Sequence, residues 1–210
     1  MIQRSILYFV AQTYPNKELL ISYPEDDRLT RYVVNRRMLE LEIDILIIER
    51  PSYLSLGESR NHAVKSANGE FVCTWDDDDF YHSSRLQFQF ESLSTINTRF
   101  EACILNQIIL FDRCTNIAYL SFLYTWENTL FCKKTIFNQM RFSCGDLGED
   151  SKIVDLLDKN HLLLHVNAPY LYIYIFHKGN SWSYHHFKSF AKRSTPLAHN
   201  DSNLILGLIQ

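Results

Sequence analysis

Residues 69–79 run Gly-Glu-Phe-Val-Cys-Thr-Trp and then straight into four aspartates, Asp76, Asp77, Asp78 and Asp79. An apolar run that stops at four carboxylates must leave the core abruptly. It predicts a short buried strand whose end opens on a cleft. In an open α/β sheet, ligands gather at the carboxyl ends of strands. Adjacent carboxylates repel one another unless a cation lies among them, and oxygen donors suit Mg²⁺ or Mn²⁺. The cluster therefore points to a divalent metal holding a phosphorylated ligand; the alternative is an acidic loop that binds nothing.

The flanking sequence supplies helices and strands in alternation. Ile2, Ile6, Phe9 and Val10 share one helical face within residues 2–12. A strand is expected over 18–23, a helix over 30–41 and a buried strand over 43–48. Ser55 and Glu58 form a capping-box pattern opening a helix to about Ala67, with Gly69 just past its end. Ser84 and Gln87 repeat that pattern ahead of a helix faced by Leu86, Phe90 and Leu93. Strands are expected over 102–111, 117–124, 129–132 and 171–176, with a helix after Asp150 and a short aromatic, basic helix over 182–192. This alternation argues for α/β layering.

The chain's 210 residues fit a single domain, read as a nucleotide-binding half (1–95), an acceptor and catalytic half (96–185) and a C-terminal tail (186–210). A net charge of −3 offers no basic surface for nucleic acid. Five cysteines without C-x-x-C spacing read as reduced, mostly buried thiols of a cytoplasmic protein. The apolar run over 161–176 is broken by His165, Asn167 and Pro169, so no membrane span is expected.

The order of motifs resembles family 2 glycosyltransferases of the GT-A fold. The matching strings are Gln12 to Glu18, Ser55 to Asn61, Gly69 to Asp79, Arg85-Leu86 with Gln89, Leu147 to Asp150, and His177 to Asn180. The resemblance implies a mixed, mostly parallel sheet flanked by helices. It also implies inverting transfer of a sugar from a nucleotide diphosphate, most plausibly UDP, to an acceptor hydroxyl. On that pattern Asp76 and Asp78 form the paired carboxylates. Asp76 leans toward ribose and metal, Asp78 binds Mn²⁺ or Mg²⁺ directly, and His177 completes the shell. A four-aspartate run leaves the register open, so Asp77 or Asp79 can take part.

Asp150 is the implied catalytic base and Glu149 its partner, although acids in a helix's first turn are also common for stability alone. Arg60 and Asn61 are implied to reach the nucleotide or brace the aspartate loop, with a scaffold salt bridge as the alternative. Trp126 and Glu127 lie where acceptor contacts are expected. Such enzymes commonly build surface polysaccharide or lipopolysaccharide on saccharide or lipid-linked acceptors. Phe187, Lys188, Phe190, Lys192 and Arg193 would provide peripheral membrane contact or pack on the domain.

Two features depart from the pattern. The family's first strand has no counterpart ahead of the 2–12 helix, so the strand over 18–23 should lack its inner neighbour. Such an open edge invites association with another subunit. At the end of that strand, Tyr23 stands in place of the family's acid. Stacking by Tyr23, or Asp26 or Asp27 bending back, would then hold the base. A non-catalytic or truncated remnant of a nucleotide-sugar-binding domain, one that has lost productive donor binding, is the second reading, and a Mg²⁺-dependent nucleotidyltransferase the third; the latter lacks a Gly-rich phosphate loop.

Overall fold

The computed structural model describes residues 1–96 and 99–209; residues 97 and 98, beside the 95/96 boundary, and Gln210 of the tail lie outside them. The chain opens with helix α1 (Ile2–Val10), then strand β1 (Leu19–Pro24), α2 (Arg28–Leu41), β2 (Ile45–Arg50), α3 (Leu56–Ser66) and β3 (Phe71–Cys73). Beyond the acidic run come β4 (Phe80–Tyr81), α4 (Arg85–Ile96), β5 (Ala102–Leu105), β6 (Ile109–Asp112), β7 (Ile117–Leu120) and β8 (Phe131–Lys133). The C-terminal third holds α5 (Ser151–Lys159), β9 (Leu163–Val166), β10 (Tyr172–Phe176), α6 (Tyr184–Ala191), β11 (Thr195–Pro196) and α7 (His199–Leu208).

Among the described residues three sheets result. β1 and β2 form a parallel pair, with Leu19 opposite Ile45. A second sheet runs β3-β8-β5-β9 and a third runs β11-β7-β6-β10-β4. Parallel and antiparallel pairings are both present, as expected of a mixed fold. Only β1–β2, β5–β9 and β6–β10 pair in parallel, while the other pairings among the described residues are antiparallel. Among the described residues β1 pairs only with β2, and β3 only with β8.

Several elements differ from the sequence reading for physical reasons. The apolar run over 102–111 is two strands in two sheets. Ser121 breaks it by accepting the Ile108 amide on its hydroxyl at 2.9 Å. Helix α2 starts at Arg28 because Asp27 accepts the Thr30 amide at 2.9 Å, which commits Asp27 to capping. The capping box at Ser55 and Glu58 forms. The one at Ser84 does not: the Ser84 hydroxyl bonds His82 Nδ1 at 2.8 Å, and Gln87 turns to Glu91. Gln12 caps α4 instead, accepting the Leu86 amide at 3.0 Å while donating to the carbonyls of Tyr8 and His82.

The tail is folded. Ile205 and Ile209 pack into the core beside Ala118, whose amide donates to Ser202 Oγ at 3.1 Å. Arg4 donates to the Ile209 carbonyl, joining the two ends of the chain. Phe187 is buried and Phe190 stacks on Phe122, so the aromatic residues of α6 serve packing. All five cysteines are unpaired; Cys103 and Cys132 are buried, whereas Cys114 and Cys144 are exposed. Among the described residues no helix is long and apolar enough to cross a membrane.

Arg85 is the largest fully buried side chain among the described residues. Its guanidinium lies 4.9 Å from the Tyr81 ring and 5.5 Å from the rings of Trp75 and Tyr172, and it donates to the Thr74 carbonyl and to Gln89. It thereby pins the strand end from which the acidic run departs. Arg85→Ala would open a cavity and leave Gln89 and the Thr74 carbonyl short of a donor. We expect a loss of roughly 3 kcal/mol of stability, read by urea unfolding.

Candidate active site

The four aspartates are held apart and have different tasks. Asp76 Oδ1 accepts from Arg60 Nη2 at 2.7 Å. Its backbone is fixed at both ends by Tyr81, whose hydroxyl accepts the Asp76 amide at 2.6 Å and donates to its carbonyl at 3.0 Å. Asp77 has its carboxyl raised by partial desolvation, which the charge of the chain's terminal amine opposes. Asp78 Oδ2 accepts from Asn180 Nδ2 at 3.1 Å and lies 3.1 Å from His177 Nε2. Burial raises the Asp78 carboxyl, as do Asp76 and Asp77, while His177 lowers it. Asp79 is buried, bonded by the Tyr172 hydroxyl and by the Ile175 amide at 2.8 Å. Burial pushes its carboxyl well up. Asp79 is therefore an anchor to β10, and the open register narrows to Asp76, Asp77 and Asp78.

His177 follows β10 directly. The Gly179 amide donates to its Nδ1 at 3.0 Å, which leaves Nε2 as the nitrogen facing Asp78. Asn180, which the sequence motif includes without giving it a role, accepts the His177 amide and bonds Asp78.

The second acidic pair is built from α3 and the loop before α5. Gly57 permits this approach, because a Cβ there would sit 1.8 Å from the Ser143 carbonyl oxygen. Asn61 donates to the Phe142 carbonyl at 2.9 Å and accepts the Phe142 amide at 3.0 Å. Asn61 thus braces this loop, and its amide is committed there rather than to a nucleotide. Gly148 turns the chain at φ +63°, in the left-handed region that favours glycine, and Glu149 and Asp150 follow.

Arg60 joins the two acidic groups. Besides Asp76, its Nη1 lies 2.5 Å from Glu149 Oε1 and 3.5 Å from Asp150 Oδ2. These are charge contacts without the angle of a hydrogen bond. Glu149 and Asp150 are both buried. Asp150 stands at the N-cap of α5, yet its side chain makes no capping bond. Helix capping therefore does not account for its carboxylate. Burial raises Asp150 to about 6, with Arg60 opposing and Glu149 and Asp76 adding to the rise.

Glu127, expected only as an acceptor contact, belongs beside this group. It accepts from Ser151 Oγ at 2.9 Å, and burial with the nearby Asp150 charge raises it to about 7. Nothing in the spacing of the sequence places it next to a carboxylate two dozen residues away.

Two candidates at the end of β1 are not brought to the aspartates' carboxylates. Tyr23 is buried and gives its hydroxyl to Glu49 at 3.0 Å, leaving no open face for stacking. Asp26 accepts from Ser52 Oγ at 2.6 Å in the following turn. The expected metal ligands are partly assembled: Asp78 meets His177, but Asp76 is turned to Arg60. Accordingly, no group of three His, Cys, Asp or Glu side chains among the described residues is arranged to hold a metal ion.

Comparison with known proteins agrees with the architecture. Staphylococcus aureus TarS in complex with UDP superposes with a TM-score of 0.67 at 13% identity, covering 90% of this chain and 65% of that one. Mycobacterium tuberculosis glucosyl-3-phosphoglycerate synthase gives 0.58 at 12% identity, covering 91% and 72%. Its complex with Mn²⁺, UDP-glucose and phosphoglyceric acid gives 0.54 at 12%, covering 79% and 64%. The chain thus spans somewhat under two thirds of the TarS fragment, and these likenesses establish the fold. No curated protein sequence matches. The family model for glycosyl transferase family 2 matches residues 1–138, well over half of the sequence, and the chain belongs to that family.

Proposed function

We propose that the chain is a metal-dependent, inverting glycosyltransferase that moves a sugar from a UDP-linked donor to an acceptor hydroxyl. The observation that carries this is Arg60. One guanidinium joins the acidic loop at Asp76 to the buried pair Glu149 and Asp150, so donor-side and acceptor-side carboxylates share one electrostatic centre. UDP in the TarS complex and Mn²⁺ with UDP-glucose in the synthase complex support the donor class.

Asp150 supplies the base. It takes the proton of the acceptor hydroxyl as that oxygen attacks the anomeric carbon, and the bond to the diphosphate oxygen breaks with its electron pair leaving on the diphosphate. Attack from the face opposite the leaving group inverts the centre. Arg60 holds Glu149 and keeps Asp150 ionised near neutral pH. Asp78 and His177, whose Nε2 lies 3.1 Å from Asp78 Oδ2, would hold a hard cation, with Asp76 the further candidate ligand. Burial, and then the charges of Asp76 and Asp77, push the Asp78 carboxyl up. A bound Mn²⁺ or Mg²⁺ supplies charge stabilisation for the departing diphosphate.

The acceptor is a saccharide or lipid-linked saccharide, and the product serves surface polysaccharide or lipopolysaccharide synthesis. Calorimetric titration with UDP tests the reading. Binding should require Mn²⁺, and Asp78→Ala should weaken it at least about tenfold. UDP binding that is indifferent both to Mn²⁺ and to that substitution refutes the assignment. One observation favours the remnant reading instead: among the described residues β1 pairs only with β2, and β3 only with β8. Complete absence of UDP binding would select it.

A further inference from the structure

Helix α2 has two apolar faces. One turns inward: Val34 is buried, and Met38 and Leu41 pack with Ile6 and Leu19. The other turns to water. Leu29, Tyr32 and Leu39 are 73%, 62% and 82% exposed, and the Arg36 side chain beside them is more than half exposed. Positions 29, 32, 36 and 39 recur at the three-and-four spacing that sets them in one stripe, opposite Val34. Scattered exposed leucines are ordinary, but large apolar side chains in register along one helix mark a contact surface.

The charges of α2 decide which partner fits. Arg31 pairs with Glu49 at 2.7 Å, and Glu40 takes both Arg36 at 2.5 Å and Arg37 at 2.8 Å. Three of the helix's four arginines are thus neutralised within the fold. An anionic membrane surface gains little from them. A second copy of the same helix is matched instead. In an antiparallel pairing Leu29 meets Leu39 of the partner subunit, and Tyr32 meets Arg36 of the partner subunit, because both pairs are centred on position 34. A guanidinium then lies against a tyrosine ring, which is an attractive contact. A parallel pairing would set Arg36 against its own like charge.

Tyr53, 84% exposed, widens the surface at one end. Its neighbour Ser52 bonds Asp26 at 2.6 Å, and Asp27 caps α2, so Tyr53 stands by the helix's amino end. The antiparallel arrangement sets that end against the carboxyl end of the other helix.

We propose that α2 is a self-association face, through which two copies of the chain pair along an antiparallel seam with its two-fold axis level with Val34. The seam is small beside the roughly 800 Å² per partner of a standard interface, so the dimer should be weak, with a Kd of about 10–100 µM.

Sedimentation velocity over a concentration series tests this. The unaltered chain should pass from monomer to dimer. Leu39→Glu should raise Kd at least about tenfold and leave Tm unchanged, since that side chain is exposed. Orientation is read by disulfide trapping in a background carrying Cys114→Ser and Cys144→Ser, which removes the exposed thiols. Leu29→Cys and Leu39→Cys proteins, mixed under mild oxidation, should cross-link to one another. Neither should cross-link to itself, because identical positions lie about 15 Å apart along the seam and a disulfide needs Cα atoms within about 7 Å. A chain that stays monomeric up to about 0.5 mM overturns the proposal. So does a dimer indifferent to Leu39→Glu, or self-cross-linking of Leu29→Cys. Binding to phosphatidylserine vesicles that is lost with Leu39→Glu, by a chain that does not self-associate, would make a membrane the occupant and equally refutes it.

Discussion

Asp150→Asn should lower kcat by about 10³-fold or more and at the same time make the protein more stable at pH 8. The first effect follows from removing a positioned base, whose usual worth is about 10²–10⁴ in rate. The second follows from burial. The folded Asp150 carboxyl stands near 6 against an ordinary 3.8, so the fold favours its protonated form. That contribution is complete below about pH 4 and is lost as pH rises through about 6. The free-energy difference across this window is about 3 kcal/mol. Asparagine carries no charge, so the two unfolding curves should coincide near pH 4 and separate above pH 6, with the variant more stable by about 1–3 kcal/mol. Wild-type activity should fall on its acid side near pH 6. UDP and Mn²⁺ binding should be unchanged in the variant. A variant that is inactive but also less stable at pH 8, or one that loses nucleotide binding, would contradict the assignment of Asp150 as base.

Arg60→Gln should destabilise the protein by roughly 3 kcal/mol, because Glu149 is buried and would lose its cation. Catalysis should change in a diagnostic way. Arg60 holds the Asp150 carboxyl down, so its loss should move the acid limb of the pH–rate profile above 6. A purely structural arginine would lower the amount of active protein without moving that limb. Urea unfolding together with the pH dependence of kcat separates the two outcomes. Arg60→Lys should restore part of the stability but not the shared geometry, since one ammonium cannot fork between Asp76 and Glu149 as a guanidinium does.

Local chemistry made much of this site legible in the sequence. The Ser55–Glu58 capping box fixed the start of α3 and hence the placement of Arg60. The apolar run into Asp76 marked a strand end, and Gly148 marked the turn before Glu149 and Asp150. Where the reading failed, tertiary contacts outcompeted local ones. Ser84 had the spacing of a cap, but Gln12, far away in the chain, reached the free amides of α4 first. The run over 102–111 is continuously apolar, and periodicity cannot tell where such a run crosses from one sheet to another. Asn61 and Arg60 are neighbours in the motif, yet a helix points them at different partners, one at Phe142 and one at the carboxylates. The fourth aspartate resembled the other three in sequence; only its pairing with Tyr172 and Ile175 sets it apart.

That pairing has a mechanical consequence. Asp79 fastens the end of the acidic run to the strand that leads, two residues after Ile175, into His177. The acidic run and His177, the groups proposed to hold the cation, are therefore fastened at one buried rivet. They should breathe in step, so the entrance widens and narrows as a single aperture.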